Sequence, residues 1–302
     1  MHIIAVLSLV APPVRARPPL LRRRPRCCAA SAGPATDDAA PLGVSFSAAG
    51  LLFPYHLGAA SALERAGLLQ LDSGAVPLAG ASAGALAAAS LGAGVPIAEA
   101  LAGAKQVAAD VARNGAAGRL DEALLPTLTS MLPADAHDVL NARAGRVTVA
   151  FAPLGLPLRG TFASAFSSRD DVVECLLASC CIPFYFNGGA VRCRGELAVD
   201  GFFACPPQAL GCPRTGALRD VRVTFPGTPL GVFDGDGGGA GCIRPVPVDG
   251  TGRPSLPQLL RWAGGAPPPS AAEADDLFAW GAADAEAWLS GGWLGRAAGA
   301  GG

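Results

Sequence analysis

The sequence carries almost no net charge, few histidines and no long apolar run, and each shortage narrows what the chain can do. Its 302 residues set 23 basic side chains against 24 acidic ones, a formal charge of −1. That balance gives no electrostatic case for a nucleic-acid partner, which needs a basic face. Apolar runs extend no further than the one from Ile3 to Ala11, well short of the roughly 20 residues that a spanning helix needs. A transmembrane protein is therefore not expected, although an enzyme working at a membrane surface fits. Histidine occurs three times, as His2, His56 and His137. Among the nine cysteines there is no Cys-x-x-Cys, and no pair has histidines spaced for zinc. Neither a metal nor a cofactor is expected. Cys175, Cys180, Cys181, Cys193, Cys205, Cys212 and Cys242 read as buried reduced thiols.

What is present is apolar bulk. Hydrophobic residues make up 51% of the chain and charged ones 16%, enough for a sizeable core in one large or two small domains. Residues 1–40 read as a leader: Arg15, Arg17, Arg22, Arg23, Arg24 and Arg26 precede the first acid, Asp37, and Cys27-Cys28-Ala29-Ala30-Ser31-Ala32 suits cleavage. Basic, acid-poor composition is that of an organelle transit peptide, the alternative being a basic tail. The arginines follow the apolar run rather than precede it, against a secretory signal. The organelle expected is the plastid or else the mitochondrion, the shortage of serine weighing toward the latter. If the leader stays attached, cytoplasm or a lipid droplet is expected.

Residues 41–230 hold the strand and helix patterns. Strands are expected at Leu42–Ser47, Ala75–Ala79, Arg146–Phe151, Gly160–Ser167, Leu197–Val199 and Val221–Phe225. Helices are expected over Tyr55–Ala66, from Ala85 onward, over 97–142 with breaks at Gly115, Gly118, Pro126 and Pro133, and over Arg169–Cys181. Repeated strand–turn–helix units imply a mainly parallel sheet covered by helices, an α/β fold. Residues 231–302 change character. Asp234–Gly241 is a glycine-rich loop with no strand and helix to flank it, helices are expected over Pro254–Trp262 and Ala271–Leu289, and a Gly/Ala tail follows. Trp280, Trp288 and Trp293 suit either packing onto the domain, the favoured reading, or contact with a lipid surface.

The stretch that carries chemistry is Gly80-Ala81-Ser82-Ala83-Gly84. A Gly-x-Ser-x-Gly between a strand and a helix is the sequence form of a nucleophile elbow, in which glycines remove Cβ atoms that would collide at a tight turn. In a chain with 40 glycines such a pentapeptide also arises by chance. A serine nucleophile needs a base. Only His137 follows Ser82, and no histidine follows Asp200, so a Ser-acid-His order with a late histidine is excluded by counting. His137 stays open as a base. So does a carboxylate made more basic by burial. The best such candidate is Asp200, which ends the apolar strand Leu197–Val199 and is followed by Gly201. Open α/β sheets hold their chemistry at that edge.

In order along the chain, Val44–Gly58, Gly80–Gly84, Leu176–Pro183 and Val199–Gly201 together resemble the patatin-like phospholipases, and within them the adiponutrin-type lipases. The resemblance implies a three-layer α/β/α sandwich with a mainly parallel sheet. It implies a Ser–Asp dyad of Ser82 as nucleophile and Asp200 as base, an oxyanion loop at Ala48, Ala49 and Gly50, and no metal. The implied activity is lipid acyl hydrolysis on a glycerolipid or phospholipid, with peripheral contact to a membrane or lipid droplet. The family's loop is Gly-x-Gly-x-x-Gly. Here only Gly50 matches, and Leu52 stands where a basic residue is frequent. Glycine permits positive φ, and alanine at 48 is expected to cost about 1 kcal/mol of strain if that dihedral is needed. Phe202 replaces a small residue after Gly201. These departures carry the alternative function, a catalytically weakened or silent patatin-like domain that binds lipid or protein.

Overall fold

A computed structural model of the chain describes residues 40–155, 157–206, 209, 211–224, 241–244 and 252–291. The elements run β1 (Gly43–Phe46), α1 (Phe53–Arg65), β2 (Leu78–Ala81), α2 (Ala83–Gly92), α3 (Ile97–Asn114), α4 (Leu120–Met131), α5 (Ala136–Ala142), β3 (Val147–Pro153), β4 (Thr161–Ala163), α6 (Arg169–Ser179), β5 (Val191–Cys193), β6 (Glu196–Val199), β7 (Asp220–Val223), β8 (Cys242–Ile243), α7 (Leu256–Ala263) and α8 (Ala271–Ser290). Short 3-10 turns occupy Gly50–Leu52 and Gly201–Ala204.

The sheet is ordered β5-β6-β3-β2-β1-β7-β8, with β4 paired to β3 off that path. Pairing is parallel from β3 through β2, β1 and β7 to β8. The strands β4, β5 and β6 add antiparallel pairs on the β3 side. Every residue of β1 and β2 is buried, as expected for parallel strands covered on both faces. Helices cover the sheet, and the result is the α/β/α sandwich with a mostly parallel sheet that the sequence implied. Val44, Phe46, Leu78, Val147, Val149, Val221 and Val223 are buried in one core with Leu57 and Leu63 of α1 and Leu91 of α2.

Several boundaries differ from the sequence reading, each for a local reason. The elbow strand starts at Leu78 rather than Ala75, after Pro77, which has no N–H to give to a ladder. It also runs on to Ala81, and the helix after it begins at Ala83 rather than Ala85. Helix α1 begins two residues early because Pro54 sits in its first turn, where a missing N–H costs nothing. Pro126 does not break a helix: it lies inside α4. Thr127 and Thr129 beside it donate their hydroxyls to the carbonyls of Ala123 and Leu125. The strand expected over Gly160–Ser167 is paired only over Thr161–Ala163. The strands β5 and β8 carry no alternation long enough to be read and are additions.

The C-terminal segment packs on the sandwich. Two glycines let α8 meet α1 backbone to backbone: a Cβ on Gly58 would lie 1.9 Å from the Phe278 carbonyl oxygen, and one on Gly281 2.1 Å from that of Tyr55. Nearby, the Tyr55 hydroxyl donates to Asp284 at 2.9 Å, and Arg253 pairs with the same carboxylate at 2.6 Å. Trp280 and Trp288 are half-buried and pack against the core. Trp293, the leader, the glycine-rich stretch at 234–240 and the Gly/Ala tail beyond 291 lie outside the described residues. Among the described residues no helix is long and apolar enough to cross a membrane.

Candidate active site

The site lies where β1 and β2 end and the chain turns into helices. Ser82 stands between β2 and α2 with φ 55° and ψ −126°, left-handed backbone that an L-residue adopts only under constraint. The constraint comes from neighbouring backbone. A Cβ on Gly80 would lie 2.0 Å from the Gly84 carbonyl oxygen, and a Cβ on Gly84 would lie 2.2 Å from that of Phe46 and 2.6 Å from that of Ser47. Both flanking glycines are thus required by close approach rather than by dihedral freedom.

A buried serine completes the turn. The Ser82 N–H donates to Ser179 Oγ at 2.8 Å, and that hydroxyl donates to the Ala150 carbonyl at 2.6 Å. Ser179 is the last residue of α6, so one side chain ties the end of β2, β3 and α6 together beneath Ser82. Sequence reading passed over it. Its signal was a hydroxyl within the apolar stretch Leu176–Ile182, where such a group needs a partner.

Asp200 follows β6 and is 1% exposed. Its N–H donates to the Cys181 carbonyl at 2.8 Å, and its Oδ1 accepts from the Phe202 N–H at 2.8 Å. Oδ2 is buried with no hydrogen-bond partner among the described residues. Burial raises the acid from its ordinary 3.8 to about 7, opposed by the Phe202 amide and, less strongly, by the Ser82 hydroxyl. The carboxyl group of Asp200 thus lies within reach of the Ser82 hydroxyl. Gly201 is needed for proximity: a Cβ there would lie 2.2 Å from the Ala150 carbonyl oxygen and 2.9 Å from Ser179 Oγ. Cys180 borders the same pair. Burial first, and the Asp200 charge second, push its thiol well up, while the Ser82 hydroxyl acts the other way.

His137, the other base left open by the sequence, sits on α5 with its Nε2 3.5 Å from Asp138. His56 is buried on α1, and its Nε2–H donates to the Ser47 carbonyl at 2.9 Å. Burial lowers this imidazole to about 4, so it is neutral.

The loop after β1 carries Ala48, Ala49 and Gly50. Gly50 has φ +53°, and a Cβ there would meet the Ala263 carbonyl oxygen of α7 at 2.1 Å. Ala49 has φ −148°. Among the described residues other than glycine, positive φ occurs only at Ser82, Phe184 and Arg194. The strain expected at Ala48 is therefore absent, because this loop asks for left-handed backbone only where its glycine stands. Leu52, in place of a basic residue, is 2% exposed and joins the core. On the elbow side, the Ala85 and Leu86 amides are taken by the Ser82 carbonyl. The amides of Ala83 and Gly84, at the start of α2, have no acceptor within the helix and supply positive potential. Phe202 is 45% exposed. Gly211 lies between it and the loop: a Cβ there would sit 3.2 Å from the Phe202 ring and 3.4 Å from the Ala48 nitrogen.

All seven described cysteines are free, and six are buried. Among the described residues no group of three or more His, Cys, Asp or Glu is placed to hold a metal ion.

A strained serine on a strand–helix elbow and a buried carboxyl group near it stand in an α/β sandwich. The chain belongs to the patatin-like phospholipase family, whose model matches residues 44–209, more than half its length. It is 33% identical over 168 residues to "1-acylglycerol-3-phosphate O-acyltransferase PNPLA3" of Homo sapiens, covering 52% of this chain and 33% of that one. It is 34% identical over 169 residues to "Patatin-like phospholipase domain-containing protein 4" of Homo sapiens, covering 53% and 64%. To "Patatin-like phospholipase domain-containing protein 2" of Mus musculus it is 34% identical over 165 residues, covering 52% and 32%. The chain thus spans from 32% to 64% of the length of these relatives.

Proposed function

We propose that the protein is a lipid acyl hydrolase that cleaves carboxylic esters of glycerolipids through Ser82 and Asp200. The observation that carries this reading is the state of Asp200. It is buried, raised to about 7, within reach of the Ser82 hydroxyl, and has one oxygen without a hydrogen-bond partner among the described residues. A carboxylate of that basicity accepts a proton near neutral pH far better than an ordinary aspartate does.

In this reading Oδ2 of Asp200 takes the proton of Ser82 Oγ as that oxygen attacks the ester carbonyl. The Ala83 and Gly84 amides at the start of α2, with amides of the loop at Ala48, Ala49 and Gly50, receive the negative charge on the carbonyl oxygen. Collapse of the tetrahedral species expels the lipid alkoxide, which takes the proton back from Asp200. Water then attacks the acyl-enzyme with Asp200 as base and releases the fatty acid. An alcohol in place of water would turn the same intermediate to acyl transfer, the activity named for one relative. Substrate is drawn from a membrane or lipid-droplet surface.

The test is fatty-acid release from a panel of glycerolipid and phospholipid classes, with the purified chain beside its Ser82→Ala variant. The reading expects at least one ester class to be cleaved by the parent protein alone. Equal release by both proteins would overturn it.

A further inference from the structure

His56 is fully buried, yet the dyad makes no use of it. Its one polar contact is with Ser47, the first residue after β1. A carbonyl oxygen only accepts, so the proton of this imidazole is on Nε2. Nδ1 is buried with no partner among the described residues. The ring is held in place, edge-on, by Phe46 at 5.7 Å and Tyr55 at 6.4 Å between centroids.

Ser47 is the joint between the sheet and the loop. Its N–H donates to the Val223 carbonyl of β7 at 3.0 Å, and its hydroxyl donates to the Ala48 carbonyl at 3.2 Å. Its own carbonyl faces Gly84 in the elbow, so close that a Cβ on Gly84 would lie 2.6 Å away. The same oxygen thus meets the imidazole of α1 and the backbone two residues past Ser82. From it the chain passes directly to Ala48, Ala49 and Gly50.

We propose that His56 is a positioning residue, whose Nε2–H fixes the Ser47 carbonyl and so sets the oxyanion loop at its working distance from the elbow. The proposal rests on the acyl-hydrolase reading and adds to it a residue that touches neither substrate nor the reacting atoms. A neutral donor suits the place, because the imidazole is buried and uncharged. An apolar ring would fill the space but remove this hydrogen bond, and the loop would shift without it. Displacement of about 1 Å in a catalytic array costs on the order of 10²-fold in rate.

The test compares His56→Gln, His56→Asn and His56→Phe in the full chain, with p-nitrophenyl butyrate as a soluble ester and with active-site titration to count folded sites. The glutamine amide reaches the position of Nε2 and the asparagine amide falls one bond short. His56→Gln is expected to keep kcat within about threefold, and His56→Asn to lose on the order of 10²-fold per titrated site with KM within twofold. His56→Phe should resemble His56→Asn. Hydrogen exchange of segment 47–52 supplies a readout that needs no turnover: it should speed up in His56→Asn and match the parent in His56→Gln. Equal kcat in the Gln and Asn variants, or equal exchange in both, would overturn the proposal. A parent protein that hydrolyses no ester would sink the acyl-hydrolase reading instead, and the exchange comparison would still decide whether His56 holds the loop.

Discussion

The Ser82 N–H donates to Ser179 Oγ at 2.8 Å, so this amide is spent on holding the elbow and, in the proposed mechanism, not on the substrate. The oxyanion donors must then come from residues after Ser82 and from the loop after β1. Ser179 also donates to the Ala150 carbonyl. Its replacement by alanine orphans one buried donor and one buried acceptor, each costing about 1–3 kcal/mol. We expect Ser179→Ala to lower the urea midpoint accordingly and to reduce kcat more than it raises KM. Ser179→Thr should recover only part, since the added methyl group has no space beside Gly201, where a Cβ would already lie 2.9 Å from the Ser179 oxygen.

In the proposed mechanism Asp200 sets the pH response. Burial, the largest influence, raises it to about 7, and the Phe202 amide and Ser82 hydroxyl oppose that rise. A base must be ionised to work, so kcat/KM is expected to climb with pH and level off above about 7. For stability the sign is opposite. Between 3.8 and about 7 the folded protein holds a proton that the unfolded chain has lost. Stability from this group is therefore full below 3.8 and is lost as pH rises through about 7. His56 acts the other way: its folded value is about 4 against 6.5, so its contribution is present above 6.5 and is lost as pH falls through about 4. Asp200→Asn separates the two. It should lose about 10²–10⁴-fold in kcat and should be more stable than the parent at pH 8. Chemical denaturation at pH 5 and pH 8 measures the difference, and an Asn variant with full activity would move the base elsewhere.

Gly84 tests the elbow sterically. A Cβ there meets two carbonyl oxygens, at 2.2 and 2.6 Å, and neither can swing away as a side chain would. Gly84→Ala is expected to cost at least the 1–3 kcal/mol typical of overpacking and to abolish ester hydrolysis. Thermal unfolding and a soluble-ester assay on the same preparation check both parts.

The C-terminal helix α8 is tied to α1 through Gly58, Gly281 and Asp284. Gly281→Val would drive a side chain into the Tyr55 carbonyl, pushing α8 off α1. Asp284→Ala removes the acceptor of the Tyr55 hydroxyl and the carboxylate paired with Arg253. We expect Asp284→Ala to cost about 1.5–3 kcal/mol, the range for hydrogen bonds to charged groups, and Gly281→Val to cost more. Circular dichroism melting curves would show it, and melting points equal to the parent's would contradict the packing described.

The sequence was legible where local chemistry and tertiary need agree. Gly80 to Gly84 announced a turn, and the turn is there because backbone approaches to within a distance that excludes Cβ. Asp200 could be picked out because an apolar strand runs straight into it. What could not be read depends on partners distant in sequence. Ser179 meets Ser82 across 97 positions; a hydroxyl in an apolar stretch calls for a partner, but nothing local says that the partner is Ser82. Gly201 was read as a turning point, but its want of a side chain serves the approach of Ala150 and Ser179. The strand β8 is two residues long and exists because β7 offers a parallel edge. Pro126 was read as a break, yet the helix continues through it.

The central claim is that Ser82 is a nucleophile activated without histidine. The most direct measurement is labelling of the full chain with a fluorophosphonate, followed by mass spectrometry of the modified peptide. The account predicts one adduct per chain, on Ser82, at a rate that rises with pH through about 7 and falls to background in Ser82→Ala and Asp200→Asn while His137→Ala labels like the parent. No adduct on Ser82, or a rate that depends on His137 and not on Asp200, would contradict it.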